Sequence, residues 1–118
     1  MNWYLAKIVF KIVNNEVISD AQFDEQLCLI EARNKQEAFI KARMLGVKNE
    51  DEVSGENNRK VFWKFIDVPY LSQVNEFTDG MELYSCIHES DAGDGYEKYI
   101  KLKALQLQNS FERNLVSN

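Results

Sequence analysis

One histidine, one proline, two cysteines and five glycines are all that 118 residues offer of these types, and no apolar run is long enough to cross a bilayer. Each scarcity removes a class of function. A zinc centre needs three or four Cys, His or carboxylate ligands converging on one point, and a single histidine, His88, can only begin one, so neither metal nor cofactor is expected. The glycines do not space themselves into a phosphate-cradling loop. Lys7 and Lys11 interrupt the longest apolar stretch, and Met1–Lys7 has no basic segment ahead of an apolar core. No membrane span or signal peptide is therefore expected, and the chain is placed in the cytoplasm. Cys28 and Cys86 each fall in an expected strand, where a small apolar thiol sits buried and unpaired in a reducing compartment. With 14 basic residues against 19 acidic ones, the net charge of -5 argues against nucleic acid as a partner, because phosphate contacts rest on Lys and Arg.

What is present is a pattern spelled twice: two apolar strands followed by a helix with a capping signal. Tyr4, Ala6, Ile8, Phe10 and Ile12 alternate to give one wholly apolar strand face, while Trp3, Leu5, Lys7, Val9, Lys11 and Val13 give a mixed one. Asn14-Asn15-Glu16 supplies turn chemistry, in a loop that reaches toward Asp20, and a second strand is expected around Phe23–Ala32. Asn34 and Glu37 read as a capping box, opening a helix that carries Ala38, Ala42 and Leu45 on one side and ends at Gly46. Ile40 and Met44 point the other way and call for a second neighbour. Val47–Arg59 is polar and aperiodic, with Ser54-Gly55-Glu56-Asn57-Asn58 inside it, and reads as the longest exposed loop.

Val61–Ile66 alternates as a third strand that ends before Pro69, and Tyr70–Asn75 suits a single helical turn. Asp79-Gly80 signals a turn, and Met81–His88 reads as a fourth strand. Asp94-Gly95-Tyr96-Glu97 repeats the capping logic ahead of a helix with Tyr96, Ile100, Ala104, Leu107, Phe111 and Leu115 on one stripe. The expected fold is α+β, in the order ββαββα, with an antiparallel sheet, two helices on one face and a candidate duplication of one ββα half. Residues 1–118 read as one domain.

The candidate chemistry is sparse. Glu82, Tyr84, Cys86 and His88 share one face of the fourth strand and could line a ligand pocket or an active site. Cys86 and His88 stand about 7 Å apart by strand rise, too far for a direct hydrogen bond, and Glu89, Asp91 and Asp94 serve the following helix N-terminus instead. The oxygens of Asp91–Gly95 are out of register for a calcium loop. Asp24-Glu25 and Asp51-Glu52 point to opposite faces if extended, so neither pair converges as general acid and base. Trp3, Leu5, Val9 and Val13 on the mixed sheet face, with Ile40 and Met44 on the first helix, form a candidate dimer interface. Charge is uneven: residues 61–97 sum to -7 and residues 98–118 to +3. An acidic pole of that kind suits a basic protein partner.

Several runs resemble one family of small bacterial proteins. They are Asn2–Lys7, Phe23–Ala32, Glu37-Ala38-Phe39 with Lys41-Ala42-Arg43, Phe65–Val68 and Asp79–Ser85. The chain is similar over about residues 2–87 to the domain of unknown function 4288 family. That resemblance implies a bacterial, intracellular, single-domain protein without an assigned reaction. Taken together, the expectation is a noncatalytic, homodimeric protein-interaction module, of the kind that serves as an immunity or inhibitor protein against a basic nuclease-like toxin. The alternative is a small-ligand-binding protein or enzyme using Glu82, Tyr84, Cys86 and His88.

Overall fold

Strict alternation over the first dozen residues produces the central strand. In the computed structural model, which describes residues 1–14, 22–54, 60–87 and 93–116, β1 spans Asn2–Asn14. It pairs antiparallel with β2 (Gln22–Ala32) on one side and β4 (Lys60–Val74) on the other, and β3 (Asp51–Ser54) closes the sheet beside β4 in the order β2-β1-β4-β3. Helix α1 (Lys35–Lys48) follows β2, and α2 (Gly93–Val116) follows an irregular segment at residues 75–87. The chain is α+β in the order ββαββα. The repeat is one of order only, because β1 is a long central strand and its counterpart β3 a four-residue edge.

The strands of the second half differ from the sequence expectation. The polar run after α1 supplies β3, whose ladder with Lys60–Trp63 leaves Asp51 and Glu52 facing solvent, so an edge strand carries no apolar alternation to read. β4 does not stop at Pro69 but runs through it to Val74, and Tyr70–Val74 are strand rather than a helical turn. Two register shifts explain this. Between the pairs Lys7–Tyr70 and Val9–Asp67, Ile8 opposes both Val68 and Pro69, so the proline's missing donor falls in a bulge. Residues 81–87 form no strand; only the turn at Asp79-Gly80 holds, with Gly80 at φ 80° and the Met81 N–H donating to the Thr78 carbonyl at 3.1 Å. The turn residues Asn15 and Glu16, Asp20, the run Gly55–Asn58, His88, Glu89 and Asp91 lie outside the described residues, and of Asp94 and Leu115 only the backbone is described.

The wholly apolar face of β1 is the main core. Tyr4, Ala6, Ile8 and Phe10 pack with Ile30 and Ala32 of β2, Val68 and Leu71 of β4, and Ala38, Phe39 and Ala42 of α1. Asn34 caps α1 as expected, its side-chain oxygen accepting from the Glu37 N–H at 2.8 Å, while Glu37 reaches the Arg33 N–H at 3.4 Å. Gly46 does not end the helix, which continues to Lys48. Its glycine serves packing instead, because a Cβ there would run into the ring of Phe65. Arg43 clamps α1 to β4 with two bonds to Asp67, at 2.9 and 3.1 Å.

Helix α2 serves both sheet faces. Leu107 and Phe111 join the main core, the latter edge-on to Phe39 at 5.6 Å. Two to three turns earlier, Ile100 packs with Val9 and Ile66 on the second face, with Phe23 and Tyr96 beside them. Of the expected stripe, Ile100, Ala104 and Phe111 are buried and Tyr96 and Leu107 half-buried, against two clusters rather than one.

Candidate functional site

Lys7 is the one charged residue among the described residues that the fold buries, at 4% exposure. Period two assigns it to the second face of β1, between Leu5 and Val9, and both neighbours are buried as well. Across the ladder it opposes Leu27 and Tyr70. Glu25, opposite Val9, stands on the diagonal, and its carboxylate lies 3.0 Å from the Lys7 ammonium. Tyr84 arrives from the irregular segment and accepts a hydrogen bond from Lys7 at 2.5 Å. Its ring stands edge-on to Tyr70 at 5.0 Å and 79°.

Burial works against the Lys7 charge, but the hydrogen bonds to Tyr84 and Glu25 and the Glu25 charge outweigh it and hold the ammonium pKa above its ordinary value. Lys7 is therefore a fixed cation at neutral pH and no nucleophile. Tyr84 is also raised, first by burial and then by the neighbouring Cys86 thiol, with Lys7 pulling the other way. A cavity of about 240 Å³ opens above this pair, lined by Tyr70, Tyr84 and Cys86 on one side and by Tyr99, Ile100 and Lys103 of α2 on the other. Further along β1, Lys11 meets Glu97 of α2 at 3.4 Å.

The residues expected to share a strand face are thus dispersed. Tyr84 and Cys86 reach the cavity; Glu82 is exposed and lines a separate depression with Leu5 and Ser72; His88 falls outside the described residues. Lys7, Tyr70, Tyr99 and Lys103 were not expected there. The available signal was a lone charge between apolar Leu5 and Val9 on one strand face, which marks a buried ion pair as readily as a solvated edge. Among the described residues, no group of three or more His, Cys, Asp and Glu side chains is placed to hold a metal ion. Among the same residues, no helix is long and apolar enough to cross a membrane.

The expected interface residues also divide. Leu5 and Val9 are buried within the chain, because the irregular segment and α2 cover the middle of the second face. Trp3, Val13, Ile40 and Met44 remain exposed. A more continuous apolar surface lies along β2, the outer strand. Leu27 and Leu29 are 46% and 53% exposed there, and Leu29, Ile30 and Glu31 line a groove of about 470 Å³ with Lys41, Met44, Leu45 and Lys48 of α1.

A family model described as Domain of unknown function (DUF4288) matches residues 3–85, the stretch that holds the sheet, α1 and Tyr84. No curated protein and no solved structure matches the chain.

Proposed function

The chain belongs to the DUF4288 family, whose description names no reaction, and we propose that it is a noncatalytic protein-interaction module that works as a homodimer through the β2 edge. One observation carries the reading. β2 is an eleven-residue strand that pairs with β1 alone in the sheet, and exposed leucines flank it on one face and the Met44 groove on the other. Soluble proteins blunt such edges with charge, proline or cover. Here the centre of the strand, Gln26–Ile30, carries no charge at all.

A second copy suits this edge because antiparallel pairing about a two-fold axis presents the strand to itself. Charge selects the alignment. Centring on Cys28 would set Leu27 against Leu29 but Glu25 against Glu31 of the other copy, whereas centring on Leu29 sets Leu29 against itself and Glu25 against Arg33, just past the end of the strand. Light scattering coupled to size-exclusion chromatography tests the reading. The parent should elute near twice 13.8 kDa and the Leu29→Lys variant as a monomer. A parent that stays monomeric at the highest concentration reached would remove the proposal.

The basic-partner role is supported by a separate surface, an open depression of about 580 Å³ where Glu50, Asp51 and Glu52 border Val13, Phe62 and Trp63. Carboxylates that outnumber the one lysine of the lining, Lys64, beside the exposed Phe62 and the half-buried Trp63, suit a lysine-rich, partly apolar protein segment, the kind of contact an inhibitor of a basic toxin makes. A lysine- and tryptophan-containing peptide should bind the parent in a salt-sensitive manner and lose affinity on Glu50→Gln/Glu52→Gln. Equal binding to both proteins would discard this role.

A further inference from the structure

The cavity above Lys7 is lined by cations in a chain whose net charge is -5. The chain carries 19 acidic residues against 14 basic ones, yet the described lining of this cavity contains two lysines, three tyrosines and no carboxylate. Glu25 reaches Lys7 but is not part of the lining. An ammonium has three N–H donors. Glu25 and Tyr84 take two, and no described residue accepts the third. The Lys7 side chain is only 5% exposed and lines the cavity, so a ligand entering there meets an ammonium screened from bulk water. A charged donor in such a place binds an acceptor more strongly than a surface lysine does.

The other walls set the remaining chemistry. Tyr70 and Tyr84 present a rigid edge-to-face pair at 5.0 Å. Tyr99 stands opposite on α2, with the Lys103 ammonium 6.0 Å from its ring centroid. Flat apolar walls with a cation at the base and another at the rim suit a planar anion. At about 240 Å³ the space is smaller than the roughly 300–1,000 Å³ of drug-sized pockets, which limits an occupant to a single ring. A phosphate dianion fits poorly, because Glu25 already neutralises much of the Lys7 charge and the described lining has no arginine.

We propose that this cavity binds a small aryl carboxylate, its carboxylate held between Lys7 and Lys103 and its ring set among Tyr70, Tyr84 and Tyr99. The lining takes no described residue from β2, whose Glu25 nonetheless holds Lys7 from behind. The site takes Tyr84 and Cys86 from the residues singled out in the sequence and adds the two lysines, while Glu82 lines a separate depression.

Benzoate is the probe, added to isotopically labelled protein and followed through amide resonances, with benzyl alcohol and inorganic phosphate as controls. Benzoate should give saturable shifts at Lys7, Tyr70, Tyr84, Tyr99 and Lys103, with a Kd on the order of millimolar for so small a ligand. Benzyl alcohol should bind roughly tenfold more weakly, since it cannot complete the charged hydrogen bond. Lys103→Gln, an exposed change that spares the fold, should weaken benzoate roughly three- to fivefold. Lys7→Met should abolish saturation, and Lys103→Gln keeps the proposal testable if that variant does not fold. The absence of saturable shifts at these amides overturns the proposal. So does benzyl alcohol or phosphate binding as tightly as benzoate, or a Lys103→Gln variant that binds benzoate like the parent.

Discussion

The ammonium of Lys7 lies 2.5 Å from the phenolic oxygen of Tyr84, a bond that spans 77 positions of sequence and ties the central strand to an irregular segment. Its partner residues explain each other. Lys7 is buried because Tyr84 and Glu25 replace its water, and residues 81–87 lie where they do because Tyr84 must reach Lys7 and meet Tyr70 edge-on. Tyr84→Phe removes the acceptor but keeps the ring, and should cost about 1 kcal/mol in urea unfolding. Lys7→Met should cost about 1–3 kcal/mol, because Glu25 is partly exposed and can rehydrate. Combined, the two changes should cost less than their sum. Strict additivity would mean that the hydrogen bond contributes nothing to the fold.

The alkaline limb of stability follows from three groups whose pKa values are all raised. Cys28 is raised by burial, Tyr84 by burial and Cys86, and Lys7 by Tyr84 and Glu25 against its burial. A group with a raised folded pKa holds its proton more tightly when folded. Its contribution is complete below the unfolded pKa and is lost as pH rises through the folded one. Unfolded values near 8.5 for Cys and about 10 for Tyr and Lys place the loss above about pH 8.5, steepest beyond about pH 10. Urea midpoints should hold through neutrality and then fall, with Tyr84→Phe flattening the steep part. A midpoint that rises between about pH 9 and 11 would contradict the assignment.

Gly46 is required by distance rather than by backbone conformation. A methyl group there would enter the space of the Phe65 ring, which is itself wedged edge-on to Phe10 at 6.0 Å. Gly46→Ala gains helix propensity, yet the overpacking should dominate and destabilise the protein by about 1–3 kcal/mol. Phe65→Leu in the same chain should recover part of the loss. If Gly46→Ala alone is stabilising, helix propensity outweighs the contact.

Local patterns were legible where one rule decided the outcome. Alternation from Tyr4 to Phe10 placed four side chains in the core, and Asn34 capped its helix through the bond its chemistry predicts. The stripe Ile100, Ala104 and Phe111 is buried as its spacing implies. Legibility failed where a tertiary contact overrode the local rule. Pro69 breaks a regular strand, but a bulge opposite Ile8 absorbs it. Gly46 has the chemistry of a helix stop, but Phe65 assigns it another role. Leu83 and Ile87 alternate like strand residues, yet both remain exposed, because the segment is held by side-chain contacts at Tyr84 rather than by a ladder. The cavity was legible only in its Tyr84 and Cys86 half. Nothing local announces that Lys7, Tyr70, Tyr99 and Lys103 meet, since they come from three elements spread over most of the chain.

The α1 cap offers a clean local test. Asn34→Ala removes the acceptor for the Glu37 N–H and should cost about 1 kcal/mol, while Asn34→Asp should be nearly neutral. Glu37 is half-exposed at the start of the helix, and its carboxyl is held below the ordinary value, chiefly by the Arg33 guanidinium 2.9 Å away. The sign is opposite to that of the alkaline groups. Its contribution is present above the unfolded pKa, about 4.3, and is lost as pH falls through the folded one. Glu37→Gln should therefore matter at neutral pH and become silent in acid, as read by helix content in thermal unfolding. An effect that grows in acid would argue that Arg33 is not the cause.

Helix α2 lies beyond the residues 3–85 that the family model matches, yet it supplies the missing side of both apolar clusters. Without it, Val9 and Ile66 lose Ile100, and Phe39 loses the ring of Phe111 that meets it at 60°. Phe111→Ala should cost about 3 kcal/mol, and Ile100→Ala about 2–4 kcal/mol. A cycle with Phe39→Ala should return a coupling of about 0.5–1.5 kcal/mol for the aromatic pair. The larger claim concerns cooperativity. If α2 completes the core rather than decorating it, a chain ending at residue 87 should lose its near-ultraviolet dichroism and its sharp urea transition. Slow amide exchange in β1 should then depend on Ile100 and Phe111 as much as on Phe39. Should the shortened chain unfold as sharply as the full one, residues 3–85 would be self-sufficient and α2 an appendage docked on a finished sheet.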